Sequence, residues 1–205
     1  MNNIQHFIEQ ISQDTTKAND VNEDIDMVIS STQHLSCMIN RIQEQVKDII
    51  IVNTQNCLGN IIDKSINMAS LYLKGKNINI IKNYDYNLEI LCDSVHIQET
   101  LNNILKNAIE AIESNGKIII DIYENKKIIT LLIKDSGIGI SKENLPYVID
   151  PFFSTKHRTL NFGLGLSYCY NVMQQHGGSL EIQSEENVGT TVLLNFPIKK
   201  LMEKM

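Results

Sequence analysis

The chain has 205 residues, of which 42% are hydrophobic and 20% charged, enough for one medium-sized domain with a smaller element beside it. Its net charge of −6 argues against a general nucleic-acid binder, because such proteins usually carry a basic surplus. The sequence has no run of about 18 apolar residues that would span a membrane. Its four cysteines form no CxxC pair, which indicates reduced thiols in a cytoplasmic protein rather than a metal site.

The first 52 residues predict a helical hairpin. Apolar residues recur at alternating spacings of three and four through residues 21–52, the heptad pattern of a coiled-coil or bundle helix. A shorter amphipathic helix precedes it, marked by Ile4, Phe7 and Ile11. Because this helix is too short to cover the heptad stripe, we expect a homodimer in which four helices form a bundle. The alternative is that both helices pack on the rest of one monomer.

From residue 53 to residue 200 the pattern predicts a second domain with mixed secondary structure. Helices are expected at residues 57–73, 94–113 and 163–176. Strands are expected at residues 78–82, 88–92, 117–123, 128–134, 180–184 and 190–196. Asn115 and Gly116 are typical of a hairpin turn. Since helices and strands do not alternate strictly, we predict an α+β fold, a two-layer sandwich in which helices cover one face of a mixed sheet.

The helix at residues 94–113 carries a polar face. Glu99, Asn103 and Asn107 are each four residues apart and therefore share one side of this helix. Asparagine is a mediocre helix former, so two in line require an explanation. An amide oxygen is a neutral, hard ligand that suits Mg²⁺ when triphosphate oxygens supply other ligands. Taken alone, the pattern is also compatible with a plain solvated face.

Three later segments carry candidate phosphate or base contacts. Asp135 ends a predicted strand, where its carboxylate can accept a hydrogen bond from an exocyclic amine, and glycines follow it. The irregular stretch of residues 141–161 is typical of a lid, and Lys156 adds positive charge to it. Residues 163–166 open a helix whose free N–H groups could cradle a phosphate. A glycine-rich turn and a solvated charge cluster remain the simpler alternatives for the first two segments.

These segments occur in an order that resembles the GHKL ATP-binding domain of bacterial sensor histidine kinases. The resemblance covers residues 93–197. The matching boxes are residues 101–111 (N box), 135–140 (G1 box), 151–156 (F box), 163–166 (G2 box) and the segment 189–191 before the last strand.

The resemblance implies a Bergerat-type ATP-binding fold that holds ATP and Mg²⁺ beneath a mobile lid. Asn107 would bind Mg²⁺, Asn103 would assist at the phosphates, and Asp135 would recognise the adenine amino group. With Lys156, the two asparagines would form the catalytic set. Further nucleotide contacts are expected from Gly137, Gly139, Ile140, Phe153, Gly163, Leu164, Gly165, Leu166 and Thr190.

One position separates kinases from hydrolases in this superfamily. The hydrolytic relatives, gyrase-like and chaperone ATPases, carry a glutamate one helical turn before the Mg²⁺ asparagine, where it can activate water as a general base. This chain has Asn103 there, and an amide has no useful basicity. Glu99 lies a further turn back, about 6 Å along the helix axis. We therefore expect phosphoryl transfer rather than efficient hydrolysis.

The phosphoacceptor expected from the resemblance is missing. In the family it is a histidine in a pattern such as His-Glu/Asp-x-x-Asn/Thr-Pro, and His6, His34 and His96 all lack this context. We therefore expect a fragment of a longer kinase or a natural degenerate homologue. The resemblance also implies a response-regulator receiver domain as partner, and membrane contact only through an upstream sensor region.

Two alternative functions remain open, and the sequence departs from the family pattern at two places. The chain could be a nucleotide-binding regulatory module without autokinase activity, or a GHKL protein-serine kinase, although the heptad helix disfavours the latter. Asn161 and Phe162 stand where Gly-Thr is common, and Asn187 replaces a frequent glycine. The first departure is expected to alter lid motion or nucleotide affinity.

Overall fold

A computed structural model of the protein describes residues 49–84, 87–155 and 163–198, and the single positions 25, 28–30 and 32. Those single positions are helical, within the helix predicted at residues 21–52. By contrast, Ile49 to Asn53 are not helical, so the prediction of a helix through residue 52 is wrong for its last four residues. His6, His34 and the remainder of the predicted hairpin lie outside the described residues, and the hairpin and its homodimer stay predictions.

The described chain from Ile49 onward forms one compact unit of strands and helices. Its strands are β1 Thr54–Cys57, β2 Asn77–Asn83, β3 Glu89–Cys92, β4 Asn115–Glu124, β5 Ile128–Asp135, β6 Ser179–Glu185 and β7 Gly189–Pro197. Its helices are α1 Leu58–Ala69, α2 Ser94–Ala111 and α3 Gly165–Gln175. Short 3-10 turns occupy Ser70–Tyr72 and Leu145–Tyr147.

The main sheet has five strands in the order β2-β4-β5-β7-β6. Strands β2 and β4 run parallel, whereas the other neighbours are antiparallel, so the sheet is mixed. The predicted α+β sandwich is thereby confirmed. A separate two-stranded ladder joins β3 to β1. Strand β1 was not predicted, because its sequence Thr-Gln-Asn-Cys is polar and acquires strand structure only through pairing with β3.

The hairpin turn predicted at Asn115 and Gly116 is wrong. Both residues lie in β4 and pair in parallel with Asn77 and Ile78 of β2. A Cβ atom on Gly116 would come within 2.8 Å of the Ile112 side chain and of Ser136 Oγ. Glycine is therefore needed here for close packing, and the sequence signal was misinterpreted as a turn.

The core lies between the sheet and the helices on one of its faces. Alternate residues of the central strands, such as Ile118 and Ile120 of β4 and Leu131 of β5, are fully buried. Helix α2 contributes one apolar stripe to the same core, at positions Ile97, Leu101, Ile104, Leu105, Ala108 and Ile109. Burial of each large side chain stabilises the fold by about 1.5–3 kcal/mol. Because this stripe faces the sheet, the asparagines of α2 are turned away from the core.

Helix α2 is capped at both ends by side chains. Asp93 Oδ1 accepts hydrogen bonds from the backbone N–H groups of Val95 (3.0 Å) and His96 (3.2 Å) at the N-terminus. Lys76 Nζ donates to the carbonyl oxygens of Ile109 (2.8 Å) and Ile112 (2.6 Å) at the C-terminus. These caps hold the helix that carries the asparagine face.

Asp93 also connects α2 to neighbouring segments. Its Oδ2 accepts a hydrogen bond from Val52 N at 3.0 Å. Its backbone N–H donates to Nε2 of the buried His176 at 3.0 Å, and His176 Nδ1 lies 2.7 Å from Val172 O at the end of α3. The start of α2, the end of α3 and the segment entering the unit are therefore joined.

Among the described residues, no helix combines the length and apolar character needed to cross a membrane.

Candidate functional site

The start of α3 lies beside the asparagine face of α2. Asn103 and Asn107 are both partly exposed on α2. A Cβ atom added to Gly165, the first residue of α3, would come 3.4 Å from Asn103 Oδ1. Two segments singled out separately in the sequence, the N box and the G2 box, are thus neighbours in the fold. Helix N-termini carry a partial positive charge and unsatisfied N–H groups, so the space around this contact suits an anion.

The glycine-rich G2 segment begins its helix two residues later than predicted. The expected helix start was residue 163, whereas α3 starts at Gly165 and Leu164 is the buried N-cap. Gly163 takes φ +66°, which lies outside the helical region. A Cβ atom on Gly163 would lie 2.5 Å from the carbonyl oxygen of Phe153. Leu166, the next predicted contact, is half-buried in the first turn of α3.

Asp135 is buried at the end of β5 with its carboxylate held in a fixed orientation. Its Oδ1 accepts hydrogen bonds from the backbone N–H groups of Gly137 (2.8 Å) and Thr190 (3.2 Å). The predicted contacts Asp135, Gly137 and Thr190 therefore meet at one point. A carboxylate held in this way is an oriented hydrogen-bond acceptor.

The G1 loop after Asp135 packs on the C-terminal end of α2. Ile138 N donates to Ala111 O at 3.0 Å. A Cβ atom on Gly137 would lie 2.7 Å from Ala111 O, and one on Gly139 (φ +68°) would lie 2.0 Å from Glu185 O. These glycines therefore allow contact with the protein's own backbone, whereas the sequence indicated only close approach to a ligand or positive φ.

The predicted lid, residues 141–161, is described only up to Thr155. Residues 141–155 contain turns and the 3-10 turn at Leu145–Tyr147 but no α-helix or strand, as predicted for an irregular segment. Phe153 is half-buried, and its ring centroid lies 6.0 Å from that of Tyr147. Phe152 takes φ +68°, an uncommon conformation for a bulky residue, and its N–H donates to Gly163 O at 3.0 Å. Lys156 lies outside the described residues.

The sequence did not indicate Ser184, and it showed Asn187 only as a substitution for glycine. Ser184 of β6 accepts a hydrogen bond from the backbone N–H of Ile140 (2.9 Å), and its Oγ lies 2.9 Å from Thr190 Oγ1. No local pattern distinguishes this serine, because its partners come from distant parts of the chain. Asn187 takes φ +63°, a conformation that asparagine tolerates better than most residues, which explains why it can replace a glycine.

The predicted residues that the structure describes fall into two connected groups. Asp135, Gly137, Gly139, Ile140 and Thr190 lie around the end of β5, and Asn103 lies with the start of α3. Helix α2 joins the groups, since its end contacts the G1 loop. Within the described residues, no three His, Cys, Asp or Glu side chains form a metal cluster.

Comparison with known proteins identifies the family of the chain. Residues 92–200, more than half of the chain, match the family described as histidine kinase-, DNA gyrase B-, and HSP90-like ATPases. The chain is 33% identical to sporulation kinase E of Bacillus subtilis over 116 residues, which are 56% of this chain and 15% of that kinase. It is 28% identical to the sensor histidine kinase ZraS of Escherichia coli over 173 residues, which are 84% of this chain and 37% of that kinase.

A solved structure has the same fold. The catalytic domain of histidine kinase ThkA superposes with a TM-score of 0.64 at 28% sequence identity, covering 73% of this chain and 99% of that domain. The chain therefore spans nearly all of a solved catalytic domain, but well under half of the length of the two kinases from Bacillus and Escherichia.

Proposed function

We propose that this chain transfers the γ-phosphoryl group of ATP to a protein histidine. The chain belongs to the family of histidine kinase-, DNA gyrase B-, and HSP90-like ATPases, and it carries an ATP-binding catalytic domain of the sensor-histidine-kinase type. The observation that supports this function most is the position of Gly165 at the start of α3, with its Cβ position 3.4 Å from Asn103 Oδ1. A phosphate there would meet helix N–H groups on one side and an amide on the other.

The residues present fit ATP and Mg²⁺. Gly165 leaves open the space that a side chain would fill beside Asn103. Asn103 and Asn107 offer neutral amide oxygens, which are suitable ligands for Mg²⁺. When bound, Mg²⁺ would neutralise charge on the phosphate oxygens. In this proposal Asn107 holds the cation, Asn103 positions the phosphates, and Lys156 adds a positive charge from the lid.

The base would be held at the other end of α2. In our proposal the oriented carboxylate of Asp135 accepts a hydrogen bond from the adenine amino group. Gly137, Gly139 and Ile140 shape the adjoining wall. The phosphates meet the backbone of residues 163–166, and Phe153 contributes to the lid. This arrangement uses both groups of site residues with one extended ligand.

Within the described residues an amide occupies the position of the general base, which favours transfer to a protein over hydrolysis. Asn103 stands where hydrolytic relatives have a glutamate, and an amide cannot take a proton from water. Glu110 lies on the same helix, but its Oε1 is 3.9 Å from Lys106 Nζ in an ion pair. We infer that the site orients and neutralises the triphosphate and leaves nucleophilic attack to an incoming side chain.

Both histidines in the described part of the chain already make hydrogen bonds through their rings. His96 Nδ1 lies 2.8 Å from Tyr168 Oη, and His176 is buried with both ring nitrogens in hydrogen bonds. We therefore propose that the acceptor comes from another segment or another chain. From the family we also propose that the chain forms a homodimer, that its partner is a response-regulator receiver domain, and that the catalytic unit works in the cytoplasm.

Calorimetry with ATP tests the nucleotide site. We expect wild-type protein to bind ATP with micromolar affinity in the presence of Mg²⁺, and Asn107→Ala to lose the magnesium-dependent part of that affinity. Asn102→Ala is the matched control, because Asn102 Nδ2 is directed to Met68 Sδ at 3.6 Å and not to the proposed site. Absence of binding by the wild type at millimolar ATP would contradict the proposal.

Phosphotransfer separates the kinase from its two alternatives. The protein is incubated with γ-labelled ATP and a separate helical hairpin that contains an acceptor histidine. We expect phosphate that is labile in acid and stable in base, as for phosphohistidine. Acid-stable phosphoserine would instead support the serine-kinase alternative. ATP binding without transfer to any acceptor would support the regulatory module.

A further inference from the structure

The hydroxyl group of Ser184 is the centre of a small hydrogen-bond network opposite Thr190. These two residues are direct cross-strand partners in β6 and β7. Ser184 Oγ donates to Gly189 O at 3.0 Å and accepts from Ile140 N at 2.9 Å. It also lies 2.9 Å from Thr190 Oγ1. The network therefore joins the G1 loop to the start of β7.

The donor in the Ser184–Thr190 contact follows from counting protons. A serine hydroxyl has one proton and two acceptor lone pairs. The proton of Ser184 goes to Gly189 O, and one lone pair takes the N–H of Ile140. The second lone pair of Ser184 Oγ therefore faces Thr190 Oγ1. Thr190 must therefore donate its hydroxyl proton to Ser184, which leaves only lone pairs on Thr190 Oγ1 for any other group.

Thr190 is also next to the carboxylate that we propose contacts the base. Its backbone N–H donates to Asp135 Oδ1 at 3.2 Å. At this position the site thus contains a carboxylate and a hydroxyl that can only accept. Both are suited to an N–H donor, and neither can donate to a carbonyl oxygen.

We propose that Ser184 is a positioning residue that keeps the hydroxyl group of Thr190 as a hydrogen-bond acceptor. Through Thr190 it helps the site to prefer a purine with an amino group at C6 over a purine with a carbonyl group there. This inference rests on the proposed function, in which Asp135 contacts the base, and on Thr190 as one of the expected nucleotide contacts beside it. A site whose polar groups are left unpaired by the wrong ligand discriminates strongly against it. Ser184 itself does not touch the base; it acts through Thr190.

Removal of the Ser184 hydroxyl should relax this preference. In Ser184→Ala the proton of Thr190 has lost its acceptor and becomes available to the carbonyl oxygen of hypoxanthine. Affinities for ATP and for inosine triphosphate are measured by calorimetry with Mg²⁺. We expect the ratio of the two dissociation constants, inosine triphosphate over ATP, to fall about tenfold in Ser184→Ala. Ser184→Thr, which keeps a hydroxyl, should restore the wild-type ratio.

Two further variants test whether the role of Ser184 is merely structural. In a Thr190→Val background, Ser184→Ala should leave the ratio unchanged, because the group through which it acts is gone. Ser184→Cys keeps the side-chain volume but bonds weakly, and provides the same test if the alanine variant is unstable. A Ser184→Ala protein that binds both nucleotides more weakly by the same factor would overturn this inference alone. Wild-type protein that binds neither nucleotide would overturn the proposed function with it.

Discussion

The Cβ position of Gly165, at the start of α3, lies 3.4 Å from the side-chain oxygen Oδ1 of Asn103, in the middle of α2. This distance corresponds to ordinary van der Waals contact, so a small side chain could be accommodated in the protein alone. The same space is where we propose that phosphate oxygens approach the N–H groups of α3. Stability and nucleotide affinity should therefore respond differently to a methyl group at this position.

Gly165→Ala is expected to fold normally and bind ATP poorly. Alanine is a better helix former than glycine, so the free energy of unfolding should stay the same or rise by up to about 1 kcal/mol. The added methyl group would obstruct phosphate, so the dissociation constant for ATP should rise about tenfold or more. Thermal unfolding and calorimetry measure the two effects. Unchanged affinity would show that phosphate does not approach Gly165.

Gly139→Ala is expected to destabilise the fold. Gly139 takes φ +68°, and its Cβ atom would lie 2.0 Å from Glu185 O, so the backbone must move. We expect a loss of about 3 kcal/mol or more. Gly75→Ala is the matched control: Gly75 has φ +84° and open space around its Cβ position, so only the conformational cost of about 1–2 kcal/mol remains. Urea unfolding compares them, and equal losses would argue against a clash at Gly139.

Lys76→Met is expected to destabilise the C-terminal end of α2. The amine of Lys76 donates to Ile109 O and Ile112 O, and methionine retains the length of the side chain without the donor. We expect a loss of about 1–2 kcal/mol in the free energy of unfolding. Lys74→Met, an exposed neighbour in the same turn, should change stability by less than about 0.5 kcal/mol. A similar effect of both substitutions would mean that the cap contributes nothing measurable.

Asp93 should make stability depend on pH in the acid range. Burial raises the pKa of Asp93, but hydrogen bonds from Val52, His96 and Val95 and the charge of His96 together lower it below its ordinary value of 3.8. Because the folded-state pKa is the lower one, the ionised group stabilises the fold above about pH 3.8, and this contribution is lost as pH falls through the folded-state pKa.

The comparison for Asp93 is Asp93→Asn, followed by urea unfolding between about pH 3 and pH 7. We expect the stability difference from wild type to be largest at neutral pH and to shrink below about pH 3.8. A difference that stays constant across this range would rule out ionisation of Asp93 as its source.

Two buried thiols should resist alkylation in the folded protein. Burial, together with the charge of Asp93, raises the pKa of Cys92 to about 12, and burial raises the pKa of Cys169. At pH 8 both are protonated, and only thiolates react readily. Of the three described cysteines, we expect iodoacetamide to label the half-buried Cys57 in the folded protein, and Cys92 and Cys169 only in urea. Peptide mass spectrometry resolves the sites, and fast labelling of Cys169 in native buffer would reveal opening of the interface between α2 and α3.

Local patterns in the sequence are sufficient for most of the secondary structure. The stripe of apolar residues on α2 has helical spacing, and its asparagines fall on the opposite side for the same geometric reason. Strands β4 and β5 are short runs rich in isoleucine and leucine with a polar segment between them, which predicts both their structure and their antiparallel pairing. The α+β class follows from the order of these elements, and the order of the glycine-rich boxes indicates the ATP-binding family.

Long-range contacts decided what these patterns could not. Asn115 and Gly116 have the local signature of a turn, yet they lie in a strand because β2 pairs beside them and Ile112 needs the space of a missing side chain. Ser184 carries no signal of its own, and its role depends on Thr190 and Ile140.

The sequence by itself therefore determined most of the elements and the fold class, because each depends on neighbours a few positions away. Only the tertiary structure decided that the start of α3 meets Asn103, that Gly139 lies against Glu185, and that the hydroxyl groups of Ser184 and Thr190 are neighbours. These depend on distances of a few ångströms between segments far apart in the chain, which spacing along a sequence does not encode.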